Sequence, residues 1–253
     1  MIDYLFAPVF AFIFMFIVFR PFERAYPAKP EQKFFRPGWW TDLCFFLGSH
    51  LCWVILIYLL LGYFQEGAAA LTPSVLRQAV AAQPFWLQAI EALFLSDLLI
   101  YWGHRLQHRI EFLWRFHSIH HSSEHLDWLA AYREHPLDTL YTMGLVNLPA
   151  ILMGFPLESI AAVIVFRGLW AVYIHSNVRF PIGPLRVLIG APELHRWHHA
   201  KQRDAGNYAN ISPLMDVMFG TYTCPDHDPE EFGIREPISK SYIGQLTHPF
   251  RRR

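Results

Sequence analysis

The chain has 253 residues and a formal net charge of zero with histidine neutral; it is 53% hydrophobic and 17% aromatic, with 17% charged residues. A neutral balance gives no basis for a nucleic-acid partner, and the apolar content is high for a soluble globule, so a bilayer is expected to be part of the solvent. The three cysteines, Cys44, Cys52 and Cys224, form neither a CxxC pair nor a disulfide framework, which argues against an iron–sulfur cluster or zinc finger.

In chain order, residues 4–19 form a charge-free stretch of sixteen, a little short of the ~20 that a spanning helix needs. Lacking a basic leader and a small-residue cleavage site, this stretch reads as an anchor and not a signal peptide. Residues 43–64 are twenty-two without a formal charge, and Cys44 and Cys52 within them are expected to be small buried hydrophobes. Residues 85–103 are apolar except for Glu91 and Asp97. Two further apolar stretches, 137–155 and 157–175, are separated by a turn signal running from Gly154 to Pro156. The loop 20–40 carries Arg20, Arg24, Lys29, Lys33 and Arg36 against Glu23 and Glu31, which makes it cytoplasmic by the positive-inside rule. The third span then returns the chain to the cytoplasm near His104. The pair 137–175 adds two passes or a re-entrant hairpin, an even number either way. The expected fold is all-α: an integral membrane helical bundle with a cytosolic helical cap. Residues 1–90 form anchor helices, 91–222 the histidine-bearing region and 223–253 a C-terminal cytosolic tail.

Eight of the fourteen histidines fall in three short clusters, HRLQH at 104–108, HSIHH at 117–121 and HRWHH at 195–199. His104 and His108 lie four apart on a helix and share a face; positions i, i+3 and i+4 do the same for His117, His120 and His121, and for His195, His198 and His199. Three such faces can converge at one membrane surface. Nitrogen-only ligation suits iron, copper, zinc or nickel and not magnesium or calcium. Eight donors exceed one octahedron, so two ions are the economical reading. His50, His125, His227 and His248 stand alone and read as structural. Asp97, seven residues before His104 and on its face, is an acid at membrane depth and therefore a candidate functional group beside the metals. Arg167 is one possible partner for it. Trp102, Trp114, Trp128 and Trp197 read mostly as an interfacial belt.

The set HX3H, HX2HH, HX2HH on membrane-flanking helices resembles the fatty acid hydroxylase/sterol desaturase superfamily. The strings LWRFHSIHHSSEHLDW and HSNVRFPIGPLRVLIGAPELHRWHH, with NYANISPLMDVMFGTY after them, extend the likeness from about residue 97 to 222. The resemblance implies a non-haem di-iron oxidase, a hydroxylase or desaturase using O2 on a membrane lipid such as an acyl chain or sterol. It implies that the eight clustered histidines are iron ligands and that His175, in HSN, is a ninth. His135, in REHPLD, matches a recurrent HPLE-like segment and reads equally as a structural residue. Alanine in NYA and the pair Asp216, Val217 depart from the family pattern, outside the boxes.

An unactivated C–H bond requires an oxidant that no side chain supplies, so the metals carry that chemistry. The chain has no dinucleotide, Walker or haem-attachment motif. Electrons are therefore expected from a separate donor protein, ferredoxin-like or cytochrome-b5-like, docking at the cytosolic cap. The rival reading is a non-catalytic zinc-binding membrane protein, a transporter or receptor, which has no need of an apolar pocket reaching from the metals into the bilayer.

Overall fold

The computed structural model describes residues 2–155, 157–180 and 182–251; Pro156, the last residue of the expected turn signal, lies outside them. The described residues form helices, short turns and two isolated bridges, with no strand. The helices are α1 (Ile2–Ala25), α2 (Trp39–Gly48), α3 (Val54–Leu71), α4 (Ser74–Ala81), α5 (Phe85–Arg109), α6 (Glu111–His121), α7 (Pro136–Met153), α8 (Leu157–His175), α9 (Pro192–His198), α10 (Leu214–Met218) and α11 (Tyr242–Thr247). A π-helical turn, Ser49–Trp53, joins α2 to α3 without a break. Phe6–Ala25, Trp39–Ile57 and Phe85–Arg109 are long and apolar enough to cross a membrane. Pro8 and Pro21 sit inside α1, a placement that membrane helices tolerate when neighbours satisfy the freed backbone groups.

Helix ends follow local chemistry. Proline stands at the first turn of α7, where its missing N–H is no loss, and the His135 side chain accepts the Leu137 N–H at 3.1 Å as the N-terminal cap. The other ring nitrogen of His135 donates to Leu246 O at 3.1 Å, so this histidine is satisfied in a structural role. At its C-terminus α7 stops at Gly154, whose φ of 73° is the left-handed conformation that favours glycine. Helix α8 then runs back. The 18 residues of α7 span ~27 Å at 1.5 Å per residue, close to the hydrocarbon thickness of a bilayer. The turn meets α3 and α4: Thr72 Oγ1 donates to Leu152 O, and Val80, Ala92, Ala150, Phe155 and Val163 form a core at that end. The histidine clusters lie at the other end.

Chain order does not divide the molecule into separate cores. Phe19 of α1 and Trp39 and Phe46 of α2 pack with Trp128, Leu129 and Val172. Glu23 at the end of α1 accepts the backbone N–H groups of Trp128 (2.8 Å) and Asn177 (3.1 Å). From the C-terminal stretch, Phe232 packs on Leu126 and Ala130, and Tyr242 meets Phe45 edge to face at 4.8 Å and accepts the Trp53 indole N–H.

Two expectations are corrected. Cys44 and Cys52 are exposed, on the outward side of the α2 run, where lipid and not protein would surround an apolar thiol. Trp114 and Trp128 are fully buried, 2% and 1% exposed, because each fills an interior gap; Trp102, at 41%, keeps a surface position.

A buried charge network ties α2 to the cap. Arg36 grips Asp127 with two hydrogen bonds (2.6 and 2.7 Å) and reaches Asp42 at 2.7 Å, while Asp42 also pairs with Arg133. Breaking a buried pair on one side leaves an uncompensated charge and costs ~3–5 kcal/mol. Asp42→Ala is therefore expected to destabilise the protein by about that amount, read from its denaturant midpoint, with Asp42→Asn milder.

Candidate metal centre

The C-terminal end of α5 carries His104 and His108; α6 carries His117, His120 and His121; α8 ends on His175; α9 and its C-cap carry His195, His198 and His199. The fold gathers all nine into two groups. His104, His108, His117, His121 and His198 form the first and His120, His175, His195 and His199 the second, with ligand-capable atoms in each within 4.8 Å of one another. The i, i+4 pairs stay together: His117 with His121, and His195 with His199. The middle residues cross over, so His120 of α6 joins the second group and His198 of α9 the first. Each of these helices thus serves both groups, and the groups share a boundary where His121 stacks on His199 at 4.3 Å.

The proton positions follow from the partners. Nδ1 of His104 donates to Tyr208 O (2.8 Å), His120 to Arg133 O (3.2 Å), His175 to Ala171 O (2.6 Å), His198 to Gly206 O (2.7 Å) and His108 to Arg203 O. His117 Nδ1 faces the Asp138 carboxylate at 2.9 Å. A carbonyl only accepts, so in these rings the proton is on Nδ1 and Nε2 is a bare lone pair. The Nε2 atoms of His120 and His175 nevertheless lie 3.0 Å apart, as do those of His104 and His117. Nε2 of His108 and of His198 is buried with no hydrogen-bond partner. Opposed lone pairs in a dry interior repel, and a cation among them removes the conflict. Metal–imidazole bonds of ~2.0–2.1 Å put ligand nitrogens up to ~4.2 Å apart, and the ligand atoms of each group, all within 4.8 Å of one another, need to draw in by only a few tenths of an ångström to meet a common ion. The donor set fits a pair of transition-metal ions.

Burial, followed by the neighbouring imidazoles, holds His117, His120, His121, His195, His198 and His199 well below the ordinary histidine value, in the neutral form that a metal requires.

The loop carbonyls of Gly206 and Tyr208 are themselves held in place. Gly206 has φ of 81°, and a Cβ there would collide with the Thr221 backbone, so glycine is needed for its carbonyl to meet His198. Asp216 accepts the N–H groups of Tyr208 (2.8 Å) and Ala209 (2.9 Å) and the Thr221 hydroxyl (2.7 Å), fixing the loop whose Tyr208 carbonyl meets His104. Burial pushes the Asp216 carboxyl up to about 6. Asp97 pairs with Arg167 at 3.2 Å and accepts the N–H groups of Ile211 and Ser212, both at 3.1 Å. Its bonds thus run to the loop beside the histidines. The carboxylate placed directly on a histidine is Asp138, braced by Gln107 at 2.6 Å. It stands three residues after His135 in REHPLD, a segment that stood out in the sequence for its histidine and not for its acid.

A cavity of about 660 Å³ reaches the centre from between the long helices. His104, His117, His120, His175 and His195 form one wall; much of the rest is apolar, including Phe14, Phe45, Ile100, Met143, Val146 and Val172. On the other side, Trp114 packs against His108 (5.1 Å) and His121 (5.5 Å), with the Arg203 guanidinium over its ring at 4.9 Å.

Residues 89–221 match the family described as fatty acid hydroxylase. The chain is 34% identical to the ornithine lipid hydroxylase OlsE of Rhizobium tropici over 76% of its own length and 63% of the relative's. It is 32% identical to human alkylglycerol monooxygenase over 56% of its length and 32% of the relative's. A Delta(7)-sterol 5(6)-desaturase, ERG3A, of Gibberella zeae is 34% identical over 53% of the chain and 37% of the relative. The chain therefore spans less than two thirds of each of these relatives. No solved structure matches it.

Two outcomes are expected. Replacing Asp138 by Asn removes the charge that orients and polarises His117, and losing such a partner typically lowers metal affinity ~10–100-fold. Competition with a chromophoric chelator measures this, and unchanged affinity refutes the role. In the metal-free protein the six buried neutral histidines of the cap refuse protons that the unfolded chain accepts below about 6.5. Stability is thus retained above that value and lost as pH falls through it, by up to ~1.4 kcal/mol per pH unit for each histidine. Urea midpoints from pH 8 to 5 on chelator-stripped protein read the slope; a flat profile contradicts the buried neutral rings.

Proposed function

Because the chain belongs to the fatty acid hydroxylase family, we propose that it is an O2-dependent non-haem di-iron oxidase, a hydroxylase, acting on a membrane lipid. The observation that carries this reading is the cavity: five of the nine histidines form one wall of a largely apolar space of about 660 Å³. A zinc-binding transporter or receptor has no use for a hydrocarbon-lined chamber against its metals, so the cavity favours the oxidase. Bound iron supplies the activation of O2 that a C–H bond demands.

The side chains do the rest. The nine imidazoles hold the ions, and each group offers fewer than six nitrogens, which leaves positions for an exogenous ligand. Backbone carbonyls and Asp138 fix the rings, and Asp97 supports the site through Arg167 and the 211–212 backbone. The apolar walls align an acyl or sterol body and exclude water. Hydroxylation is preferred over desaturation because insertion of one oxygen is the simpler outcome, and OlsE and alkylglycerol monooxygenase are a lipid hydroxylase and a monooxygenase by name. Electrons come from an external ferredoxin-like or cytochrome-b5-like donor, since the sequence carries no dinucleotide or haem motif. The metal centre and the C-terminus face the cytoplasm, as the basic loop 20–40 implies.

Iron-replete expression is expected to yield about two irons per chain, and lipidomics of producing cells a lipid heavier by one oxygen. That species should vanish when His120 or His175 is replaced by Ala. Zinc alone, with an unchanged lipid profile, overturns the reading.

A further inference from the structure

Within the cavity one acid has no partner of opposite charge. Glu134 lines the chamber together with Tyr132, Trp53 and Thr139. Its Oε2 accepts the Thr139 hydroxyl at 2.9 Å, and no ion pair joins it to a described residue. Burial, reinforced by nearby Asp138, pushes its carboxyl up to about 8, as expected of an acid without a counter-charge. The other charged group on the cavity wall, Arg167, is already committed to Asp97 and Ser96.

The position of Glu134 is fixed by its neighbours. The carbonyl of Arg133, one residue before, accepts from His120 of the second group, while Asp138, four residues after, holds His117 of the first. The carboxyl thus sits on a segment pinned at both sides to the metal centre. Nothing in the metal arrangement uses it: its carboxylate belongs to neither histidine group. A hydrocarbon tail cannot satisfy a carboxyl, and an anionic head group is repelled by it once ionised. A primary ammonium supplies both the charge and the hydrogen-bond donors, and the aromatic rings of Tyr132 and Trp53 in the same chamber suit a cation.

We propose that Glu134 receives the primary ammonium of an aminolipid and so holds the substrate's head group at the histidine end of the cavity. That the bound lipid is the substrate rests on the oxidase reading above; the binding itself does not. The ammonium can belong to an α-aminoacyl lipid or to an ethanolamine phospholipid.

The test is lipid retention. Purified full-length protein is exchanged into mixed micelles containing equal amounts of an α-aminoacyl lipid, phosphatidylethanolamine and the N-acetyl derivative of each, and the retained lipid is quantified by mass spectrometry. Wild type is expected to retain at least one free-amine lipid tenfold or more over its N-acetyl form, and the amine enriched identifies the source. E134Q, in which the amide oxygen still accepts from Thr139, is expected to reduce that preference to twofold or less while retaining N-acetyl lipids at the wild-type level, which also controls for folding. Equal retention of amine and N-acetyl forms by wild type, or a preference that survives in E134Q, overturns the proposal. Oxidation of an N-acetyl lipid by iron-loaded wild type at an undiminished rate sinks the ammonium site and leaves the oxidase standing. Amine-selective retention with no lipid oxidised does the reverse.

Discussion

The constraint on which the structure depends is the confrontation of imidazole lone pairs in a dry interior. Carbonyl acceptors dictate the tautomer of His104, His108, His120, His175 and His198, and once Nδ1 bears the proton the inward nitrogens have nothing to donate. Two of them, on His120 and His175, stand 3.0 Å apart. Hydrogen bonding cannot account for such a contact. It makes sense as a coordination sphere, and the surrounding fold is organised to hold it.

That organisation works at several ranges. Close in, Asp138 and the carbonyls of residues 133, 171, 203, 206 and 208 set ring orientation. Further out, Asp216 and Asp97 secure the loop that brings the Tyr208 carbonyl to His104, and Glu23 and Arg36 lock α1 and the following loop against the segments on either side of the centre. Burial of these four charged side chains is tolerable because each is paired with backbone N–H groups or an opposite charge. The long helices beneath contribute an apolar shell and the chamber, and so set a water-excluding surface against the histidine wall.

Much of this was legible in the sequence. Charge-free runs announced the long helices, since length and hydropathy alone decide that question. Box spacing announced eight inward-facing histidines, because i, i+3, i+4 is a property of any helix. His175 entered through likeness to known motifs, and the fold puts it in the second group. Other features depend on the tertiary arrangement and were hidden. The crossing of His120 and His198 between groups needs the relative placement of α6 and α9. Carbonyl anchors have no side-chain signature. Asp138 carries no signal of its own in REHPLD, and its contact with His117 depends on how α7 meets α6; the histidine of that segment, His135, caps and braces α7 through its two ring bonds. Hydropathy does not say whether an apolar residue faces lipid or core, hence the reversal for Cys44, Cys52, Trp114 and Trp128.

The interleaving of the boxes bears on maturation. A helix that contributes histidines to both groups cannot settle against one group while the other is unformed. An ion held in either group would orient α6 and α9 together and so bring the histidines of the other group into place, which would couple the occupancy of the two groups.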